Sequence, residues 1–552
     1  MLAALKNNRL EKIIFILFLL SLGVRFYFLF FGFGSITNDE ADYYLTSYLF
    51  AKTGTDQFGH TLFFSSGFLN AISSVPVYIG ALFFKILPIK SILLARLPFA
   101  LLNSLTPVLF FTCIYFFSNS ILYSLIGFGI FNFSPWFSHL SATAAFDSPL
   151  SLLFFLGAVN SFCYIKKPIW LKYGLFIFFN FLAFNSYMGF KTIFPFLSLL
   201  FLLLYFYSQK NKLSLKQIGF WVIFSVFIFV SFFTISLKGP GGNLFSSRAT
   251  KTIVFLNKNL IENEVWYANL TTNNKVVRKL FNNKAIAPLQ LFMSKYANVF
   301  NPAIYFFAEP HIIYGLRIMG LFFVTDIFFF AIGLFFGFQT LTYKMKALIL
   351  GLLCIAPIPA ALQIEGLTVA LRGIFLLPAI SLVIACGYHF LIIRIKNKLF
   401  YIALILLFVF NICSFFALYQ SRIKTISAES WGGSQKMVIE DLNHYKNNKI
   451  HIYTNEGNSF LMLYGMYNEI ANPQSLKSEL IKENVDKYVY ENITIHFSCE
   501  DILKESNEGY IVFDVKKCPS EYKVKKAHFK TLKEYYSLDK SGDLLYILAK
   551  SI

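Results

Sequence analysis

Long apolar runs separated by short polar connectors make up most of the chain. Runs near 13–33, 92–117, 120–140, 149–165, 171–188, 192–207, 217–236, 316–339, 347–363, 373–392 and 399–418 suit helices that cross a bilayer core about 30 Å thick. One further run, 69–88, is interrupted by Ser73, Ser74, Pro76 and Lys85 and reads as a juxtamembrane helix lying in the interface. Past about residue 419 the pattern changes. KIHIYT (449–454) and EGYIVFDV (508–515) read as strands, and QKMVIEDLNHYK (435–446) reads as an amphipathic helix. The expected organisation is a membrane domain over 1–418 followed by a small α/β domain over 419–552.

Composition narrows the class. The 552 residues are 56% hydrophobic and 14% charged, with 69 Phe and 31 Tyr. A soluble fold of this size has no interior large enough for that much apolar surface. A transmembrane β-barrel would show short alternating segments instead. The chain therefore reads as a polytopic α-helical membrane protein. Its net charge of +20 would point to nucleic acid in a soluble protein. Here Lys and Arg gather in the connectors, where they set orientation and meet anionic lipid, so nucleic acid is not an expected partner.

Orientation follows from those connectors. Lys166, Lys167 and Lys172 follow one run, and Lys210, Lys212 and Lys216 another. Lys344 and Lys346, then Arg394, Lys396 and Lys398, follow two more. Together with the basic N-terminal tail they mark the cytoplasmic side. Tail and connectors agree only if 69–88 does not cross. The expectation is eleven spans in the plasma membrane, with the N-terminus cytoplasmic and the C-terminal domain extracytoplasmic. Cys499 and Cys518 in that domain are free to pair if it meets an oxidising compartment.

On this topology the chemistry-bearing residues share the outer face. Asp39, Glu40 and Asp56 fall in the first outer loop, and Asp147 in the second. Tyr187, Lys191 and Arg372 stand at outer ends of spans, and Arg248 lies in the long loop 237–315. A carboxylate there can take a proton from an incoming hydroxyl. Two carboxylates, Asp39 and Asp147, can also hold a divalent cation such as Mg²⁺ or Mn²⁺. Lys and Arg can neutralise a phosphate leaving group at headgroup level. Each residue has a plainer alternative. Asp39 and Asp147 suit helix N-caps, Asp56 suits a turn, and Lys191 and Arg372 suit snorkelling helix ends.

These residues sit in segments that resemble a known family. NDEADYYLTSYLFAKTGTDQFG is similar to the first-loop acidic motif of the GT-C membrane glycosyltransferases, with Gln57 in place of a usual acid. The nearest branch is that of the protein O-mannosyltransferase, aminoarabinose transferase and Rgt-type bacterial enzymes. SSVPVYIGALFFKIL and ARLPFALLNSLTPVLFF resemble its juxtamembrane helix and next span. SPWFSHLSATAAFDSP resembles its Ser-Pro-Trp segment, with Ala142 where an Arg is common. APIPAALQIEGLTVALRGIFLLP resembles a late outer loop ending in an Arg, here Arg372. The resemblance implies a GT-C fold and a polyprenyl-phosphate-linked sugar donor. It implies transfer on the outer face to a hydroxyl of a protein, lipid or glycan acceptor. Asp39, Glu40 and Asp147 become the expected catalytic acids, with Asp39 and Asp147 as metal ligands if a cation is used. Asp56, Tyr187, Lys191, Arg248 and Arg372 are the expected substrate-binding residues. The rival class is a lipid or glycan transporter or flippase with an extracytoplasmic binding domain. It requires ionisable residues deep in spans, for which Arg25, Lys85 and Asp326 are the candidates.

Overall fold

The apolar runs fold as helices broken at proline and glycine. The computed structural model describes residues 2–56, 73–87, 92–165, 168–208, 252–311, 313–364, 368–454, 456–468, 473–480, 486–500, 509–519, 529–539 and 541–551, with isolated positions between 223 and 250. The expected span at 217–236 therefore lies largely outside the described residues, as does Arg248. The chain divides into two units, one formed by 1–30 with 99–416 and the other by 31–98 with 417–552. The segment 31–98 clusters with the C-terminal residues.

In the first unit, α1 (Leu2–Phe31), α5 (Thr106–Ser118) and α6 (Ile121–Phe133) precede a short α7 (Pro135–Thr143). They are followed by α8 (Ser148–Tyr164), α9 (Ile169–Phe184) and α10 (Met188–Ser208). The segment joining the units carries α4 (Ile92–Asn103). Among the described residues five helices are long and apolar enough to cross a membrane, or six if α6 and α7 form one broken span. Several other apolar helices are shorter. The molecule is thus a multi-pass membrane protein; several of the eleven expected spans correspond to these shorter helices, and 217–236 falls largely outside the described residues. Two of the expected spans differ in shape. The run 120–140 bends by 51° between α6 and α7, because Pro135 lacks the N–H that would continue α6. Ser134 caps the new helix by accepting from Phe137 N at 3.1 Å. The run 316–339 is helical only from Asp326, after an irregular segment.

Further elements of the first unit follow in the chain. An arm carries α11 (Lys258–Thr271), α12 (Lys275–Phe281) and α13 (Ile286–Val299). The helix α14 (Asp326–Ile332) packs against α17 (Leu377–Arg394), with α15 (Tyr343–Ile355) and the short α16 (Val369–Arg372) between them in sequence. The α14–α17 approach is glycine-dependent. A Cβ on Gly337, just past α14, would lie 2.7 Å from Cys386 O. Close backbone approach through small residues is a usual mode of helix association in lipid.

In the second unit, α2 (Asn38–Thr53) and α3 (Ser74–Ile86) pack on each other. A Cβ on Gly80 of α3 would lie 2.6 Å from Ser47 Oγ. At 13 residues, α3 is about 20 Å long, short of a bilayer core. Further on, α18 (Gly433–Leu442) and α19 (Gly457–Tyr467) cover a six-stranded sheet. The strands are β1 (Ile450–Tyr453), β2 (Lys487–Tyr490), β3 (Ile493–His496), β4 (Tyr510–Asp514), β5 (Phe529–Tyr536) and β6 (Leu544–Ser551), in the order β2-β3-β1-β4-β6-β5. Central β1 runs parallel to β3 and β4, and the outer pairings are antiparallel. Cys499 and Cys518 form a disulfide between the segments that follow β3 and β4. Phe33 stacks on the buried Trp431 at 4.6 Å, and Ile36 N donates to Tyr467 Oη at 3.0 Å. These contacts fasten the start of α2 to the C-terminal residues.

Candidate active site

The adjacent acids at the head of α2 have opposite fates. Thr37, not Asp39, is the N-cap: its Oγ1 accepts from Glu40 N at 3.2 Å. Asp39 lies in the first helical turn with its side chain exposed, where the helix N-terminus favours negative charge. Glu40 is buried. Arg96 of α4 donates to it in bidentate fashion, Nε to Oε1 at 2.5 Å and Nη2 to Oε2 at 2.7 Å. The same guanidinium donates to the carbonyls of Phe33 and Ser35. Glu40, expected from the sequence as catalytic, is therefore committed to an ion pair that holds the turn before α2. Asp42 and Asp56 are also buried. Asp56 follows the left-handed Gly54 (φ 73) that ends α2, in keeping with its turn reading. Asp39 is the acid of this group that faces outward.

In the other unit, Asp147 occupies the N-cap position of α8 but makes no side-chain capping bond, so the capping alternative does not describe it. Its segment is anchored by Asn103, whose Nδ2 donates to Ala145 O at 2.8 Å. Tyr187 is buried just before α10. Gly189 makes room for its ring, since a Cβ there would lie 2.8 Å from Tyr187 Oη. Lys191, in the first turn of α10, places Nζ 5.2 Å from the centre of the Phe184 ring.

Arg372 ends α16 and stands close enough to His311 for its charge to act on the imidazole. Burial first, and Arg372 second, hold His311 below its ordinary proton affinity. Tyr314 N donates to His311 Nδ1 at 3.1 Å, which places the proton of the neutral ring on Nε2. Beside them lies Glu309, a residue that the sequence reading passed over. The chain folds back on itself here: Glu309 N donates to Met319 O at 3.1 Å, and Arg317 N to Glu309 O at 2.8 Å. Arg317 takes a left-handed φ of 57° to do so. Glu309 is fully buried. Its Oε2 accepts from His311 N at 3.0 Å. Burial pushes its carboxyl up to about 7, against the opposing pull of the His311 and Ala370 backbone N–H groups.

The Ser-Pro-Trp segment organises this region. Trp136 is buried, donates Nε1 to Ala370 O at 2.6 Å, and receives Leu321 O on its backbone N–H at 2.9 Å. It therefore ties α7 both to α16, which carries Arg372, and to the loop that carries Glu309. His139 bonds to the Ile313 backbone and serves the same contact. A Glu-Pro-His step in a chain poor in acids was the available signal for Glu309, and an Arg early in an apolar run was the signal for Arg96.

Among the described residues no three His, Cys, Asp or Glu side chains gather as metal ligands, and Glu40 beside Asp39 is taken by Arg96. Two of the three candidates that would support a transporter, Asp326 and Arg25, have partners within the fold. Asp326 accepts from Phe323 N at 3.2 Å and from Tyr388 Oη at 3.4 Å. Arg25 donates Nη2 to Asn132 Oδ1 at 2.9 Å and lies over the Phe137 ring.

No family model matches the chain, and no curated protein does. Among solved structures it is similar to the apo oligosaccharyltransferase of Archaeoglobus fulgidus, with a TM-score of 0.48 and 12% identity over 97% of this chain and 74% of that one. The AglB oligosaccharyltransferase of the same organism, in complex with an inhibitory peptide and a dolichol-phosphate, matches over the same shares at a TM-score of 0.44 and 12% identity. ArnT from Cupriavidus metallidurans bound to undecaprenyl phosphate has a TM-score of 0.42 and 10% identity, over 98% of this chain and 97% of that one. These neighbours are GT-C membrane glycosyltransferases, the family that the sequence motifs resemble.

Proposed function

We propose that the protein transfers a sugar from a polyprenyl-phosphate carrier to an acceptor hydroxyl at the outer face of the plasma membrane. The observation that carries the reading is the separation of roles at the head of α2. Glu40 is buried and paired with Arg96, while its neighbour Asp39 is exposed.

In the proposed step the acceptor O–H gives its proton to Asp39, and the oxygen attacks the anomeric carbon. The new C–O bond forms as the bond from that carbon to the phosphate oxygen breaks. The electron pair leaves with the phosphate, whose added negative charge is met by Lys191 and Arg372. One displacement inverts the anomeric centre. Asp147 is proposed as the second acid of the site, and Tyr187 as a wall for the sugar. The Cys499–Cys518 disulfide supports an extracytoplasmic C-terminal domain, since such bonds persist in oxidising compartments.

The test uses purified full-length protein and a panel of polyprenyl-phosphate sugars, with release of the carrier phosphate as the readout. Asp39→Asn is expected to lower turnover by about 10²–10⁴-fold with thermal stability unchanged, because the side chain is exposed. Full activity in that variant removes Asp39 from the mechanism. Arg372→Ala is expected to raise KM for the donor.

A further inference from the structure

The arm of residues 252–300 presents apolar side chains that no described part of the fold covers. In α11 and α12 no residue is buried. Trp266 is 57% exposed and Tyr267 62%, with Leu270 on the same side. In α12 the separation is complete on a helical wheel. Val276, Val277, Leu280 and Phe281 fill one arc of about 140°, while Lys275, Arg278 and Lys279 fill an arc of about 100° on the other side. Val276 is 64% exposed and Leu280 58%. Along α13, Leu289, Met293 and Phe300 continue an exposed apolar stripe at helical spacing.

The base of the arm is fixed at a membrane boundary. Tyr296 Oη donates to Cys354 O at 2.7 Å. Lys295 Nζ reaches the carbonyls of Gln363 and Ile364, and Val254 N donates to Leu362 O at 2.9 Å. Leu362, Gln363 and Ile364 lie just past the end of the apolar helix Tyr343–Ala361, which is long enough to span, and Cys354 lies about two turns before that end. The arm therefore leaves the protein at the height where hydrocarbon gives way to headgroups.

We propose that this arm lies on the bilayer surface, with its apolar face in the headgroup–acyl boundary and its cations on anionic phospholipid headgroups. Three observations favour lipid as the occupant. Trp and Tyr are the residues that settle at this boundary. An exposed apolar surface beside a basic face is the signature of an interfacial helix. Between 258 and 284, Lys258, Lys275, Arg278, Lys279 and Lys284 outnumber Glu262 and Glu264, which complements a negative surface. The surface is separate from the residues assigned to transfer, and the inference stands whether or not that assignment does.

The experiment reconstitutes the full-length protein in nanodiscs of phosphatidylcholine with or without phosphatidylglycerol. The fluorescence of Trp266 is isolated as the difference between wild type and Trp266→Phe. In the mixed lipid this difference emission is expected to be quenched by lipids brominated high on the acyl chain and shielded from aqueous iodide. Reversing three charges (Lys275→Glu, Arg278→Glu, Lys279→Glu) is expected to restore iodide access by about two-fold or more. Amide exchange over 258–300 in unmodified protein gives the same reading without a substitution, with slower exchange expected in the anionic nanodisc. An emission that iodide quenches fully and brominated lipid does not, or exchange that is indifferent to lipid charge, overturns the proposal. So does shielding that appears only when a second copy or an acidic protein is added.

Discussion

Each unit buries an arginine, and the two are held in different ways. Arg96 in the second unit faces a carboxylate and two carbonyls, so its charge is matched by Glu40. Arg25 in the first unit is equally buried, yet its hydrogen-bond partner is the neutral Asn132, with an aromatic ring over the guanidinium. Its Nε and Nη1 have no hydrogen-bond partner among the described residues. The difference teaches what each cation does. Arg96 neutralises a buried acid and holds the turn before α2. Arg25 instead serves a break in the helix ladder. Pro135 ends α6, and Arg25 Nη2 and Ser138 Oγ both donate to Asn132 O, each at 3.3 Å. It steadies the bend that orients Trp136.

The largest expected effect comes from breaking the matched pair. Arg96→Met leaves the Glu40 charge buried without its partner and should destabilise the second unit by about 3–5 kcal/mol. Adding Glu40→Gln should recover most of that loss in thermal unfolding. A double variant as unstable as the single one would mean that packing, not charge, dominates the site.

Glu309 tests the opposite case, a buried acid without a matched cation. Its folded pKa of about 7 lies above the ordinary value of 4.5. The protonated form is thus favoured in the folded state. Its contribution is fully present below about pH 4.5 and is lost as pH rises through about 7, a change of about 3 kcal/mol. Glu309→Gln should flatten stability across that window, checked by melting temperature against pH. A wild-type curve without a slope there would place Glu309 in water.

The smallest effect is expected at Arg25. Arg25→Met loses hydrogen bonds to a charged donor, worth about 2 kcal/mol, but strands no buried opposite charge. A loss as large as that of Arg96→Met would show that a hidden anionic partner holds Arg25.

Much of the architecture was legible because apolar runs and their punctuation are local. Many of the apolar helices, β1, β4 and the helix near 435–446 were expected, whereas the bend at Pro135 and the irregular start of the run 316–339 were not. The β2–β3 hairpin was not, since its two-residue turn is Glu491-Asn492 with Glu491 at φ 52° rather than a glycine-bearing turn. The pattern Thr37-x-x-Glu40 has the form of a capping box. Thr37 keeps that role, while the Glu40 side chain is drawn away by Arg96, 56 positions along the chain.

The sequence by itself determined that this chain lives in a membrane, because the hydrophobic effect acts on every long apolar run whatever its neighbours. It also marked the cluster of acids after the first run. Which acid of that cluster faces outward was decided only by the tertiary structure. A buried carboxylate needs a cation at hydrogen-bond distance, and only folding brings Arg96 to Glu40.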